Sequence, residues 1–228
     1  LTRDLGHFDV WRHPALLFAQ GCEYPLAKSF ADRVRLVATP RYSAPGCEGA
    51  NCRSAIIVRR EERGSSLADF RGRRCVVNEM DSNSGMNLLR AAVAPLAGGA
   101  RYFGSVAVSG SHRRSAEMVA CGEADVAAVD CVSFAHLGLL CPGVVAKLRV
   151  LSWTAASPCL PFITARSADD PTVQVLRSAL AGVFEDATLA PVRERLFLSG
   201  VDLQPVEGFG EVLRLERGAV ELGYPTIC

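Results

Sequence analysis

The chain has 228 residues, with 25 Lys and Arg against 24 Asp and Glu, and 49% of it is apolar. That balance excludes an acidic or disordered tail and carries no global positive field for nucleic acid. The length suffices for one large core or for two lobes of about 100 residues each.

Short apolar runs alternate with helical segments, the pattern of an α/β fold. Ala15 to Ala19 is an apolar run after a loop, and Val34 to Ala38 reads as a strand that Pro40 stops. Ala55 to Val58 is a third, β-branched run, and the alternating charges of Arg59 to Arg63 read as its solvated exit. Ser66 caps a short helical turn through Phe70, and Arg74 to Asn78 is a buried strand. A helix is predicted from about Met86 to Ala94, stopped near Pro95. Ser105 to Val108 is a strand, followed by a helix to Cys121 with Gly122 closing it. Ala124 to Val129 is again a strand, Val132 to Leu140 a helix and Leu148 to Trp153 a strand, with Phe162 to Ala165 as another. Asp170 to Asp186 is the longest clear helix, with Pro171 in its first turn. A last pair follows: a helix over about Leu189 to Leu198, and an irregular tail from Val201 ending in a short helix.

No run of about 18 uninterrupted apolar residues suggests a membrane span. The opening Leu-Thr-Arg-Asp-Leu has no Met, basic segment or apolar segment of an export signal. Such an opening reads as a mature or trimmed product. Nine cysteines are an odd number, so one thiol at least lacks an intrachain partner. No C-x2-C pair of a zinc site occurs. Cys47 and Cys52, in a Pro/Gly-rich loop, are candidates for a small disulfide suited to an oxidising compartment, with Cys22 competing for Cys47. Cys75, Cys121 and Cys131 read as buried hydrophobes.

The most informative feature occurs twice: a buried strand, a Ser/Gly turn, then a helix. The first is Cys75 to Asn78 followed by Ser82, Asn83, Ser84 and Gly85; the second is Ser105 to Val108 followed by Ser109, Gly110, Ser111 and His112. A helix start leaves N–H groups unpaired and carries about +0.5 charge. Serine hydroxyls add donors, and glycine admits an anion close to the backbone. Two such starts at one sheet edge make an anion cradle. Ordinary N-capping explains one such turn, but each turn has more serines than a cap needs. Asp130 closes the strand Ala124 to Val129 at the same edge, suited to accept from a protonated oxyanion or an amine and also to cap the next helix. The chain has no G-x-S-x-G elbow, H-E-x-x-H motif or phosphate-binding P-loop. No catalytic residue, cofactor or metal is therefore assigned.

Several segments in order resemble the type 2 periplasmic solute-binding proteins of ABC transporters, in the branch that binds phosphate, phosphite and phosphonates. They include Phe18 to Leu26, Tyr42 to Cys47, Arg53 to Arg59, Ser66 to Gly72, Asn83-Ser84-Gly85, Ser109-Gly110-Ser111-His112 and Gly122 to Asp130. The resemblance implies two α/β lobes joined by two crossing strands near Ile57 to Glu62 and Pro158 to Ile163. Lobe one would comprise residues 1–62 and 158–228, and lobe two residues 63–157. It implies that Ser82, Asn83, Ser84, Ser109, Ser111 and His112 hold the anion, with Asp130 on the far wall. Tyr24 and Tyr42 would be aromatic faces from lobe one, with Gln20 and Ser54 adding polar contacts.

The implied protein is a monomeric, non-enzymatic, extracytoplasmic solute-binding component. Its partners would be a small oxyanion and a permease, with no nucleic acid, and with membrane contact only through the permease or a removed anchor. The same fold binding an organic carboxylate, sulfonate or vitamin precursor stays open, as do a small-acid enzyme and an effector-sensing domain. The sequence departs from the family in lacking the strand and helix that open lobe one. It also carries Asn51-Cys52 where many relatives have a second aromatic, and its extra cysteines are no family hallmark.

Overall fold

A computed structural model describes residues 5–203 and 210–228. Among these residues the strands are numbered β1 to β12 and the α-helices α1 to α9 in chain order. The chain divides into two compact units. Unit 1 holds residues 5–43, 48–51 and 158–203, and unit 2 holds Ala44–Cys47, Cys52–Ser157 and Gly210–Cys228. The two-residue strands β3 (Cys47–Glu48), β4 (Asn51–Cys52) and β10 (Ser157–Pro158) fall where the chain passes from one unit to the other.

Unit 1 is built on an antiparallel sheet of order β1 (Ala19–Gln20), β11 (Phe162–Ala165), β2 (Val34–Tyr42), β12 (Leu198–Asp202). Helix α1 (His7–Arg12) packs Trp11 edge-on against Phe30, with ring centres 5.6 Å apart, and Leu16, Leu26, Val34 and Ile163 complete that core. Helix α2 (Glu23–Pro25) runs into a π-helical turn, Leu26–Phe30. Helix α7 (Asp170–Glu185) starts where Asp169 accepts from the Thr172 N–H at 2.9 Å.

Two expectations are corrected here. Strand β2 does not stop at Pro40 but runs to Tyr42. Beyond Ala38 only β12 pairs with it, an edge position that tolerates the missing proline N–H. The helix predicted over Leu189 to Leu198 is shorter, a 3-10 turn (Ala187–Leu189) and α8 (Ala190–Arg195). Phe197 then adopts a left-handed φ of 55°, and the chain leaves as β12 rather than as an irregular tail. Residues 204–209 of that expected tail lie outside the described residues.

Unit 2 is a five-stranded mixed sheet of order β7 (Ser105–Val108), β6 (Arg74–Val77), β8 (Val126–Asp130), β5 (Ser54–Arg59), β9 (Leu148–Trp153). Strand β6 runs parallel to β7 and β8, and β5 runs antiparallel to β8 and β9. The three central strands are almost wholly buried, as expected of strands covered on both faces. Ile57, Val76, Ala127 and Val129 meet Ala116 and Val119 of α4 (His112–Ala120) in one core. Helices α3 (Leu88–Ala97), α5 (Cys131–Leu140), α6 (Pro142–Val145) and α9 (Gly210–Glu221) complete the unit.

Here too the structure departs from expectation in places. The helix predicted from Met86 begins as a π-helical turn at Asn83 and continues as α3 through Pro95 to Ala97. Pro95 sits in the last turn, where its missing N–H costs one bond, and Gly98 ends the helix at φ 65°. Helix α9 groups with unit 2 rather than with the first lobe. Asn87 Nδ2 donates to the Val212 carbonyl at 3.2 Å and Arg90 to the Pro225 carbonyl at 2.8 Å, while Val212, Leu215 and Ala219 are buried. Ile57 to Glu62 and Ser54 also lie in unit 2.

The cysteines differ as well. Cys52 and Cys159 are disulfide-bonded and Cys47 is a free thiol, so the Cys47–Cys52 pair is not formed. Cys75 and Cys131 are buried as expected, but Cys121, just past the end of α4, is exposed.

Candidate functional site

The parallel pairing of β6 and β7 fixes the two serine turns side by side. Val77 lies opposite Val108, and the pairing continues past both strands: the Ser109 N–H donates to the Val77 carbonyl at 2.9 Å and the Gly110 N–H to the Asn78 carbonyl at 2.8 Å. Antiparallel pairing of β5 with β8 sets Ser54 opposite Asp130. One sheet edge therefore collects Asn78, Ser109, Asp130 and Ser54.

In the first turn Ser82 caps the helix, its Oγ accepting from the Gly85 N–H at 3.1 Å. Asn83 donates through Nδ2 to Ser157 Oγ at 2.9 Å and accepts from Asn87 Nδ2 at 3.0 Å. In the second turn Ser111 caps α4 by accepting from the Arg114 N–H at 3.1 Å. Ser109 Oγ donates to the Ser111 carbonyl at 2.9 Å and lies 2.7 Å from Ser115 Oγ. The turns are joined by a hydrogen bond between Ser84 Oγ and His112 Nε2 at 2.9 Å. Asp130 caps α5, accepting through Oδ1 from the Ser133 N–H at 2.8 Å, which leaves its other oxygen for a further donor.

Capping therefore accounts for Ser82, Ser111 and Asp130, yet three buried polar atoms on elements of this edge have no hydrogen-bond partner among the described residues: Asn78 Oδ1, His112 Nδ1 and Ser54 Oγ. Each belongs to an element that reaches the same sheet edge. A buried polar group left unpaired costs about 1–3 kcal/mol, so three near one edge suit a polar ligand. Ser54 supplies an O–H. A half-turn of the Asn78 amide presents its NH2 in place of its oxygen. An anion selects the histidine tautomer with hydrogen on Nδ1, Nε2 then accepting from the Ser84 hydroxyl. Burial holds the His112 pKa below the ordinary imidazole value, against the opposing pull of the Asp130 carboxylate, so the ring is neutral. Backbone approach is close here: a Cβ on Gly85 would lie 1.7 Å from Asn78 Oδ1 and 3.3 Å from His112 Cε1.

Unit 1 contributes a smaller arrangement of its own. Gln20 Nε2, at the end of β1, donates to the Tyr42 hydroxyl at 3.0 Å and to the Leu160 carbonyl at 2.8 Å, bringing those two predicted residues together. Tyr24 is 6% exposed, more enclosed than an open aromatic face, and the Lys28 ammonium lies 5.9 Å from its ring centre. Beside it, burial pushes the Glu23 carboxyl up to about 8.

Sequence reasoning missed Asn78 and Ser157. Asn78 carried a signal, an amide at the carboxyl end of a buried strand just before a serine turn. Ser157 had none, since its contact with Asn83 is distant in sequence.

Helix starts and unpaired buried polar atoms gather at the carboxyl edge of the unit 2 sheet, an arrangement suited to holding an anion. A family described as the phosphonate periplasmic substrate-binding protein of ABC transporters matches residues 15–204, and the chain belongs to that family. It is thus of a class of extracytoplasmic solute-binding components that serve a permease. Among the described residues no helix is long and apolar enough to cross a membrane.

Solved structures share the fold. PhnD1 from Prochlorococcus marinus, in complex with methylphosphonate, is 12% identical with a TM-score of 0.72, covering 88% of this chain and 77% of that one. A binding protein component of an ABC phosphonate transporter from Pseudomonas aeruginosa is 19% identical with a TM-score of 0.70, covering 90% and 69%. A Xanthomonas citri protein bound to ATP is 18% identical with a TM-score of 0.66, covering 89% and 77%. A search of curated proteins by sequence found no match.

Proposed function

We propose that this chain captures a small phosphonate- or phosphate-like oxyanion at the carboxyl edge of the unit 2 sheet, using neutral donors, and delivers it unchanged to a permease. The observation that carries this reading is the trio of buried unpaired groups, Ser54 Oγ, Asn78 Oδ1 and His112 Nδ1, on elements that reach the edge with the two serine turns. Ser82, Asn83, Ser84, Ser109, Ser111 and His112 are the proposed anion contacts. Asp130 is the proposed acceptor for a proton on the ligand. Sulfate carries no such proton near neutral pH, so the same carboxylate repels it. Gln20, Tyr24 and Tyr42 are the proposed ligand contacts on unit 1. The working form is a monomer.

The Ser84–His112 pair does not argue for turnover. Among the described residues no carboxylate is hydrogen-bonded to His112 Nδ1 to orient it as a nucleophile–base arrangement would need.

The test is thermal unfolding with phosphate, phosphite, methylphosphonate, 2-aminoethylphosphonate and sulfate. A ligand at about 100 times its dissociation constant adds about 2.7 kcal/mol. For a chain of this size that is a shift of roughly 5–11 °C. A shift with one phosphorus oxyanion and none with sulfate is expected, reduced in Ser84→Ala and Ser111→Ala. Unchanged affinity in both variants overturns the proposed site.

A further inference from the structure

Outside the serine turns, unit 2 gathers three cysteine sulfurs that no local spacing announces. The Sγ atoms of Cys47, Cys52 and Cys131 all lie within 4.8 Å of one another. Cys47 is the central member, 3.6 Å from Cys52 Sγ and 3.3 Å from Cys131 Sγ. Their chemical states differ: Cys52 is disulfide-bonded, while Cys47 and Cys131 are free thiols. A free thiol therefore stands in van der Waals contact with a disulfide sulfur.

The backbone holds this arrangement from three sides. The Cys47 N–H donates to the Ala44 carbonyl at 3.0 Å, the Arg53 N–H to the Gly46 carbonyl at 3.0 Å and the Cys131 N–H to the Arg53 carbonyl at 3.2 Å. The loop can pass this close because residue 46 is glycine: at its φ of 97° a Cβ would meet the Trp153 ring at 2.6 Å and Cys131 Cβ at 3.0 Å. Cys52 is 5% and Cys131 1% exposed, whereas Cys47 is half-buried.

We propose that Cys47 is an exchange thiol that attacks Cys52, so that the protein interconverts between two disulfide isomers. The Cys47 thiolate approaches Cys52 Sγ, and the Cys47–Cys52 bond forms as the existing bond of Cys52 breaks. The sulfur formerly joined to Cys52 leaves as a thiolate and takes up the proton that Cys47 gave up. One disulfide and one thiol are present before and after, so no outside oxidant or reductant is needed. Cys131 prepares the nucleophile. Its sulfur lies 3.3 Å from that of Cys47, and an S–H given to the Cys47 thiolate lowers the Cys47 pKa and raises that of Cys131, while burial and the Asp130 carboxylate oppose ionisation of Cys47.

The experiment maps disulfides in the wild-type protein. Samples held at pH values from about 6 to about 9 are quenched in acid, alkylated under denaturing conditions, digested without reduction and analysed by mass spectrometry. The expected result is a peptide joining Cys47 to Cys52 beside the form in which Cys47 is alkylated, reached faster at the higher pH. Cys131→Ala slows the approach to that mixture by roughly three- to tenfold through loss of the S–H donor. Cys47→Ser abolishes the second isomer. A single connectivity with Cys47 fully alkylated at every pH overturns the proposal, as does a Cys47–Cys131 disulfide in its place. The wild-type map decides without any variant having to fold, and it is read without ligand, so it stands or falls apart from the oxyanion reading.

Discussion

Gly85→Ala tests whether the serine turns are packed as closely as the structure has them. The added Cβ falls 1.7 Å from Asn78 Oδ1 and 2.8 Å from Asn78 Cγ. A non-bonded carbon normally stays about 3.5 Å from its neighbours, so the shortfall is far larger than small relaxations absorb. Asn78 is a short, half-buried side chain whose backbone carbonyl is held by the Gly110 N–H, so relief comes from its amide swinging away from residue 85. Forced repacking of this kind costs about 1–3 kcal/mol. At roughly 2–4 °C per kcal/mol for a chain of this size, the melting temperature falls by roughly 2–12 °C.

The control is Gly182→Ala, inside α7, where a Cβ would meet nothing within 4 Å. Alanine at a helix position that accepts it stabilises by about 0.4–1 kcal/mol. Thermal unfolding of the two variants should therefore move in opposite directions. Equal shifts, or a stabilised Gly85→Ala protein, would refute the close approach of Asn78 and with it the geometry assigned to the first turn.

Other outcomes follow from the same structure. Asp125→Asn removes the charge and one of the two oxygens that accept from the Arg74 guanidinium at 2.8 Å, the Arg74 N–H at 3.0 Å and Arg59 at 3.2 Å, and should cost about 1–3 kcal/mol in a denaturant titration. Those donors, Arg74 foremost, hold the Asp125 carboxyl below the usual range. Its stabilisation is therefore present above about pH 4 and lost on further acidification, and the variant should show a shallower acid limb. His112, with its pKa lowered by burial, works in the same direction at higher pH: the unfolded chain takes up a proton below about pH 6.5 and the folded one does not. His112→Gln should accordingly flatten the fall in stability between about pH 6.5 and 5. Ser111→Ala should lower stability by about 1 kcal/mol through loss of the α4 cap, while Ser111→Asn restores most of it.

The parts of this protein that local chemistry determines were legible in its sequence. Strands β6, β7 and β9 and helices α4 and α5 fall within a residue or so of expectation, because β-branched or small apolar runs stop at serine, glycine or aspartate and begin again as helices. The two serine turns were visible for the same reason. Strand β12 was not, since Leu198–Asp202 extends only by pairing with the outer edge of β2, far away in the chain. The run through Pro40 depends on that same distant partner. The sulfur cluster escaped because Cys131 reaches Cys47 through the fold rather than through spacing, and Cys52 has a different partner from the one its neighbourhood suggested. The close approach at Gly85 involves Asn78, a residue whose side-chain direction no periodicity reveals.

The two edges of the unit 2 sheet divide the electrostatic labour, and this bears on how an anion is chosen. At the edge where β6 begins and β5 ends, Asp125 gathers Arg74 and Arg59 in short hydrogen bonds. Those charges are spent on one another at the far ends of the same strands that carry Asn78 and Ser54. The opposite edge presents hydroxyls, amides, a neutral imidazole and the Asp130 carboxylate. A cluster of arginines there would attract any oxyanion in proportion to its charge. Neutral donors instead select by geometry and hydrogen-bond count, since each donor left unpaired costs about 1–3 kcal/mol. In the proposed site the Asp130 carboxylate adds the opposite term, penalising a ligand that cannot offer it a proton. On the proposed site, selectivity for a protonated phosphorus oxyanion over sulfate would follow from that pairing: uncharged donors, with His112 kept neutral by burial, around an acceptor fixed by its own helix cap.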